Sequence, residues 1–203
     1  AGTGCSTLIV VDCGTNDSEM LEKLRKAGIN IFVFDHHSVS APITIPTIVN
    51  PSVNMDAGDH QKICATAVLW CWAWKENIVS KQFLQYEVDL AALATIADCM
   101  PLHNLNRSIV RYGMNLMRSN PRRGLAALFD CLSINKAQLT EEHLSMRVIP
   151  CLNAPGRIAT ADTGVRALLG AGSSDAVYAC VNDLTRINRK RQSLTENIAH
   201  EID

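Results

Sequence analysis

The sequence predicts an α/β fold, a parallel sheet followed by a helical region and a long connecting helix. Two apolar runs, Leu8-Ile9-Val10-Val11 and Ile31-Phe32-Val33-Phe34, are separated by one segment of helix length. Each run ends in an acid, Asp12 or Asp35, and strand-like runs vanish beyond residue 50. Two β-branched strands joined through a single helix form a βαβ unit, whose strands are parallel.

Each element has its own justification. Residues 7–12 read as a fully buried strand. The following helix carries Met20, Leu21, Leu24 and Ala27 at helical spacing, with Asp17 or Ser18 able to cap it, acids in the first turn and Gly28 closing it. Residues 30–34 are a second strand. Pro42 and Pro46 make 38–46 a loop, 47–50 is a short strand stopped by Pro51, and 52–60 is polar loop.

Helices are expected at 62–77, 88–97, 106–118, 122–132 and 140–148. The tryptophans at 70, 72 and 74 could stack bases, but their place in a continuous apolar helix assigns them to packing. Asn153-Ala154-Pro155-Gly156 is expected to interrupt the helical pattern. Residues 161–170 resume it, and Gly170-Ala171-Gly172 ends it. A long helix then runs from Ser173/Ser174 to the end, apolar on one side at Ala176, Val177, Cys180, Leu184 and Ile187. It turns polar and basic near Asn188–Arg191, as a helix connecting two lobes would. The expected division is 1–172 as one domain and 173–203 as the linker helix.

Composition excludes several classes. With 203 residues, 47% hydrophobic and 19% charged, the chain is neither disordered nor built to cross a bilayer. Its eight cysteines form no CxxC pair and are too sparse for a disulfide scaffold, so reduced, mostly buried thiols in a cytoplasmic protein are expected. The net charge of −1 hides an asymmetry. Residues 1–103 hold 6 basic against 11 acidic side chains, and residues 104–203 hold 13 against 9. The segment 104–157 is rich in arginine, whose planar fork suits phosphate.

In a parallel sheet, side chains just past the carboxyl ends of adjacent strands face one crevice. Asp12 and Asp35-His36-His37 occupy that position, and Asp98 closes the apolar stretch 93–97. Carboxylates together with imidazoles suit manganese and similar ions. A metal-assisted hydrolase of phosphate esters is the reading that joins an acidic first half to an arginine-rich second half.

Six ordered segments resemble the DHH phosphoesterase superfamily and, within it, the RecJ branch of single-strand exonucleases. They are Val11-Asp12-Cys13-Gly14, Asp35-His36-His37, Asn50-Pro51, and Thr95-Ile96-Ala97-Asp98 with Met100-Pro101-Leu102 and Asn106-Arg107. The last two are the stretch 150–157, similar to "PRxNAxGR" with Cys151 where arginine is usual, and 188–192, similar to "LNxxRQ". The resemblance implies metal roles for Asp12, Asp35, His36, His37 and Asp98, with manganese or magnesium as the cofactor and two ions in the intact enzyme. It implies phosphate contacts at Arg157, Asn153 and Arg107. It further implies 5'-3' hydrolysis of single-stranded DNA in repair and recombination, beside a single-strand-binding protein or a helicase. Alternatives are a superfamily hydrolase acting on short oligonucleotides or nucleotide phosphates, and a non-catalytic replication or repair scaffold. The family's first motif, a strand-end DxDG, is expected upstream of residue 1, and the second, substrate-gripping lobe beyond the long helix.

Overall fold

The computed structural model describes residues 4–40, 42–44, 47–53 and 62–202, so most of the loop expected at 52–60 lies outside the described residues. It divides into two compact units, Ala1–Gly113 and Met114–Asp203.

The first unit opens with the βαβ unit. Strand β1 (Thr7–Val11), helix α1 (Ser18–Lys26), strand β2 (Asn30–Phe34) and the short strand β3 (Ile48–Val49) form a parallel sheet in the order β1-β2-β3. Leu8 pairs with Ile31 and Val10 with Val33. Side chains paired in this way share a sheet face. That face packs with Leu21 and Leu24 of α1 to make the core under the sheet.

The other face corrects the expectation of a fully buried first strand. Ile9 is 62% exposed and Val11 51%, with Phe32 beside them at 39%. Among the described residues β1 lies at the end of the sheet, with one neighbour rather than two. Phe34 on this face is covered, and its ring meets Trp72 at 4.9 Å.

Two helices follow, α2 (Ala65–Lys75) and α3 (Lys81–Ala97). α3 begins seven residues before the expected start at 88 because Ser80 caps it, its side chain accepting from the Phe83 amide at 3.1 Å. Its first turns expose Phe83 and Tyr86, so no apolar stripe marks them in sequence. The tryptophans serve packing. Trp70 donates its indole N–H to the Leu84 carbonyl and stacks on Trp74. Helix α4 (Asn104–Ser119) starts in this unit.

The second unit contains α5 (Arg123–Cys131), a short α6 (Glu141–His143), a π-helical turn at Leu144–Val148, α7 (Ile149–Ile158), α8 (Asp162–Leu169) and the long α9 (Ser174–Ile202). Helices α5, α7 and α8 pack against α9, which buries Val177, Val181 and Leu184.

The expected break at 153–156 is absent, because Pro155 lies inside α7. A proline there removes one backbone bond, and burial outweighs the loss. Cys151, Ala154 and Pro155 are all buried. Where α5 crosses α8, a Cβ on Gly124 would fall 1.5 Å from the Ala167 carbonyl oxygen, so only glycine fits. Among the described residues no helix is long and apolar enough to cross a membrane.

Candidate metal centre

All five acidic and imidazole residues singled out in the sequence lie in the first unit, at the carboxyl edge of the sheet and the end of α3. Asp12 follows β1 with a left-handed φ of 63°, an uncommon conformation that aspartate tolerates better than most residues. Its amide donates to the Phe34 carbonyl at 2.9 Å, which ties this turn to the end of β2. Gly14 then turns the chain at φ 102°, where a Cβ would press on Val10 and Val33 at 3.1 and 3.2 Å. The βα turn after Asp12 therefore needs a glycine.

At the end of β2, Asp35 is 1% exposed and both its oxygens are taken by protein donors. Oδ1 lies 2.7 Å from the His36 amide, 3.3 Å from the His37 amide and 2.7 Å from His37 Nδ1. Oδ2 accepts from the Thr15 amide at 3.0 Å. Burial by itself would raise the Asp35 carboxyl. Hydrogen bonds from the Thr15 and His37 side chains and from the Thr15 and His36 amides outweigh it and hold the group far below the usual range. His37 moves the other way: its bond to Asp35 raises it against the effect of burial, helped by the charges of Asp35, Asp12 and Asp98.

Sequence reasoning missed the support behind this carboxylate. Thr15 is fully buried, and Asn50 Nδ2 donates both to Thr15 Oγ1 at 2.8 Å and to the His37 carbonyl at 2.9 Å. Asn50 Oδ1 accepts from the Ser52 amide at 2.8 Å, and Ser52 Oγ donates to the His36 carbonyl at 3.3 Å. The signal for Thr15 was slight, a lone hydroxyl after a glycine turn. Asn50-Pro51 was visible only as part of a motif.

His36 is the meeting point. Its Nε2 lies 3.2 Å from Asp12 Oδ1 and 3.9 Å from Asp98 Oδ2, so both carboxylates crowd one half-buried imidazole. Asp98 is the residue that ends α3, and Cys99 after it turns the chain with φ 52°. Burial and the charge of Asp12 raise the Asp98 carboxyl, against the lowering effect of His36 and His37. The negative end of a helix adds to this repulsion. A cation between Asp98 and Asp12 would relieve this repulsion.

One ligand atom from each of Asp12, Asp35, His36 and His37 falls within 4.8 Å of the others. Mixed carboxylate and imidazole donors fit a divalent first-row ion. Among the described residues this is one site, not two. Asp98 adjoins it through His36.

The other three candidate residues are not among the ligand atoms of this cluster. Arg107 is exposed on α4 in the first unit. Asn153 and Arg157 belong to the second unit, one turn apart on an exposed face of α7 rather than on a loop. Asp162 pairs with Arg166 at 2.6 Å, and Arg157 has no ion pair among the described residues. Cys151 accepts from Asn188 Nδ2 at 3.5 Å, and Arg191 Nε donates to Asn188 Oδ1 at 3.1 Å, so the segments 150–157 and 188–192 meet.

No family model matches the chain. Curated relatives do. The single-stranded-DNA-specific exonuclease RecJ of Thermus thermophilus is 29% identical over 194 residues, covering 96% of this chain and 28% of that protein. RecJ of Bacillus subtilis is 27% identical over 199 residues, covering 98% and 25%, and RecJ of Escherichia coli is 26% identical over 215 residues, covering 98% and 37%. The chain thus spans about a quarter to a little over a third of these relatives. Among solved structures, RecJ from Thermus thermophilus in complex with Mn2+ superposes with a TM-score of 0.80 at 27% identity, over 97% of this chain and 30% of that one. An exonuclease RecJ bound to manganese gives the same TM-score and identity, over 97% and 50%. The magnesium complex of the Thermus thermophilus protein gives 0.70 at 25% identity.

Proposed function

The chain belongs to the DHH/RecJ exonuclease superfamily, and from that premise we propose that the protein carrying it is a metal-dependent phosphodiesterase that degrades single-stranded DNA in the 5'-3' direction. The observation that carries this reading is the convergence of Asp12 and Asp98 on His36, with the Asp35–His37 pair beside it.

Asp12, His36 and Asp98 would hold manganese or magnesium, and a second ion would share Asp12, whose carboxylate is 61% exposed. Divalent ions there supply Lewis-acid stabilisation of phosphate charge and a water of lowered pKa. Asp35 orients the His37 imidazole and anchors the His36 amide. A carboxylate bonded to one ring nitrogen of histidine fixes the tautomer and aims the other nitrogen, so Asp35 on His37 Nδ1 leaves Nε2 for metal or phosphate. Arg157, Asn153 and Arg107 contact substrate phosphates. Residues 1–172 act as the phosphoesterase domain and 173–203 as the helix leading to a second lobe. DNA repair and recombination, a cytoplasmic setting, and a single-strand-binding protein or helicase as partner complete the proposal.

The test uses the full-length protein with Mn2+ on three substrates: a long single strand, the same strand as a duplex, and a dinucleotide. The expected result is processive loss of nucleotides from the single strand, abolished by EDTA and by Asp12→Ala. Faster turnover of the dinucleotide would move the assignment to a hydrolase of short oligonucleotides. Tight Mn2+ binding without hydrolysis of any of the three would make the protein a scaffold.

A further inference from the structure

One helix face in the first unit carries two arginines and no acid, and has no role so far beyond Arg107. In α4 the side toward the protein buries Asn106, Ile109, Val110 and Gly113. The opposite side exposes Arg107, Ser108, Arg111 and Tyr112, the tyrosine at 67%. The helix contains no acidic residue from Asn104 to Ser119. Neither Arg107 nor Arg111 has an ion pair among the described residues.

α4 is also held firmly to the element that carries Asp98. A Cβ on Gly113 would come 2.3 Å from the Ala92 Cβ and 3.0 Å from the Val88 carbonyl, so the two backbones touch there. Asn106 Nδ2 donates to the carbonyls of Pro101 and Lys62 at 2.9 and 2.7 Å, which fixes the first turn of α4 to the segment just after Asp98. A cavity of about 290 Å3 opens at this turn, with Lys62 and His103 in its wall.

We propose that the Arg107, Arg111 and Tyr112 face of α4 is a binding track for single-stranded nucleic acid beyond the nucleotide being cleaved. Arg107 and Arg111 lie one turn apart, about 6 Å along the axis, and pair with successive phosphates. Tyr112 offers a flat aromatic face on which an unpaired base stacks, an interaction that tolerates any sequence. The inference rests on the single-strand reading of the metal centre and adds the residues that grip the rest of the strand.

The experiment measures binding of fluorescent oligo-dT to the full-length protein in EDTA, across a KCl series, alongside hydrolysis in Mn2+. Arg111→Ala should weaken binding and flatten the slope of log affinity against log salt by about 0.7, the share of one phosphate contact on a single strand. Arg111→Lys should keep the slope and lose part of the affinity. Tyr112→Ala should weaken binding by about fivefold or more, and Tyr112→Phe should match wild type. Thermal melts check that each variant is folded. If folded Arg111→Ala and Tyr112→Ala bind as wild type does, or if wild type does not bind oligo-dT, the track is refuted. Wild-type hydrolysis of single strands with neutral variants rejects the track and keeps the proposed function. Weakened variants of a protein that binds but never cleaves reject the function and keep the track.

Discussion

Asp35 Oδ1 and His37 Nδ1 lie 2.7 Å apart across only two residues of chain. The same oxygen receives the amides of His36 and His37, so one buried carboxylate holds the DHH segment in its bent form. Asp35 has no oxygen left over for solvent, whereas Asp12 and Asp98 present theirs to the crevice. This separates a residue that shapes the site from carboxylates left open to the crevice.

The separation is measurable by isothermal titration with Mn2+. Asp12→Asn or His36→Ala should lower affinity by at least about a hundredfold, and Asp35→Asn by about 10–100-fold, the range for groups that orient ligands. Urea melts should show the reverse order. Asp35→Asn should cost about 2–3 kcal/mol, because buried donors lose their acceptor, and Asp12→Asn much less. Equal stability for the two variants would contradict the assignment.

Acid should attack the same network. The folded Asp35 carboxyl titrates far below its ordinary 3.8, so it binds protons less readily folded than unfolded. Its contribution is then complete above about pH 4 and fades as pH falls below that value. Urea midpoints between pH 3 and 6 should drop at the acid end in wild type, with a shallower drop in Asp35→Asn.

Two glycines in the second unit predict opposite outcomes. Gly124→Ala must separate α5 from α8 and should cost at least about 3 kcal/mol. Gly156 sits within α7, and its nearest neighbour to a Cβ is Ala161 at 3.9 Å. Gly156→Ala should therefore stabilise by about 0.5–1 kcal/mol. A large loss at Gly156 would mean that segment 153–156 is a turn after all.

Thiol chemistry follows burial. All eight cysteines are free, and Cys5, Cys13 and Cys99 are exposed. Burial pushes the Cys71 thiol up to about 11 and raises Cys64 and Cys151 as well. Iodoacetamide at pH 8 followed by mass spectrometry should label the first three and spare the last three until the protein unfolds.

The parallel sheet and the strand-end acids were legible because short continuous apolar runs, β-branching and an acid after each run are local signals. The pairing of Asp35 with His37 was half legible, since the residues are two apart in sequence but their geometry is supported by Thr15 and Asn50, which meet only in the fold. Exposure of Ile9 and Val11 was not legible, because an apolar run looks the same whether or not a neighbour covers it. The helical course of 153–156 was hidden for a related reason. Proline and glycine are read locally as breakers, whereas burial of Ala154 and Pro155 is a tertiary effect. Mostly buried thiols were expected, yet Cys5, Cys13 and Cys99 are exposed, the last two directly after Asp12 and Asp98.

The uncovered face of β1 has a practical bearing on handling this segment. Ile9 and Val11 sit on an end strand, beside Phe32 of β2, and the outer backbone groups of that strand pair with nothing among the described residues. Such an edge is a template for another strand. Produced as these residues alone, the polypeptide should self-associate through β1 as its concentration rises, with turbidity growing faster than linearly. Lysine placed at Ile9 would suppress that association and leave the core side, built on Leu8 and Val10, undisturbed.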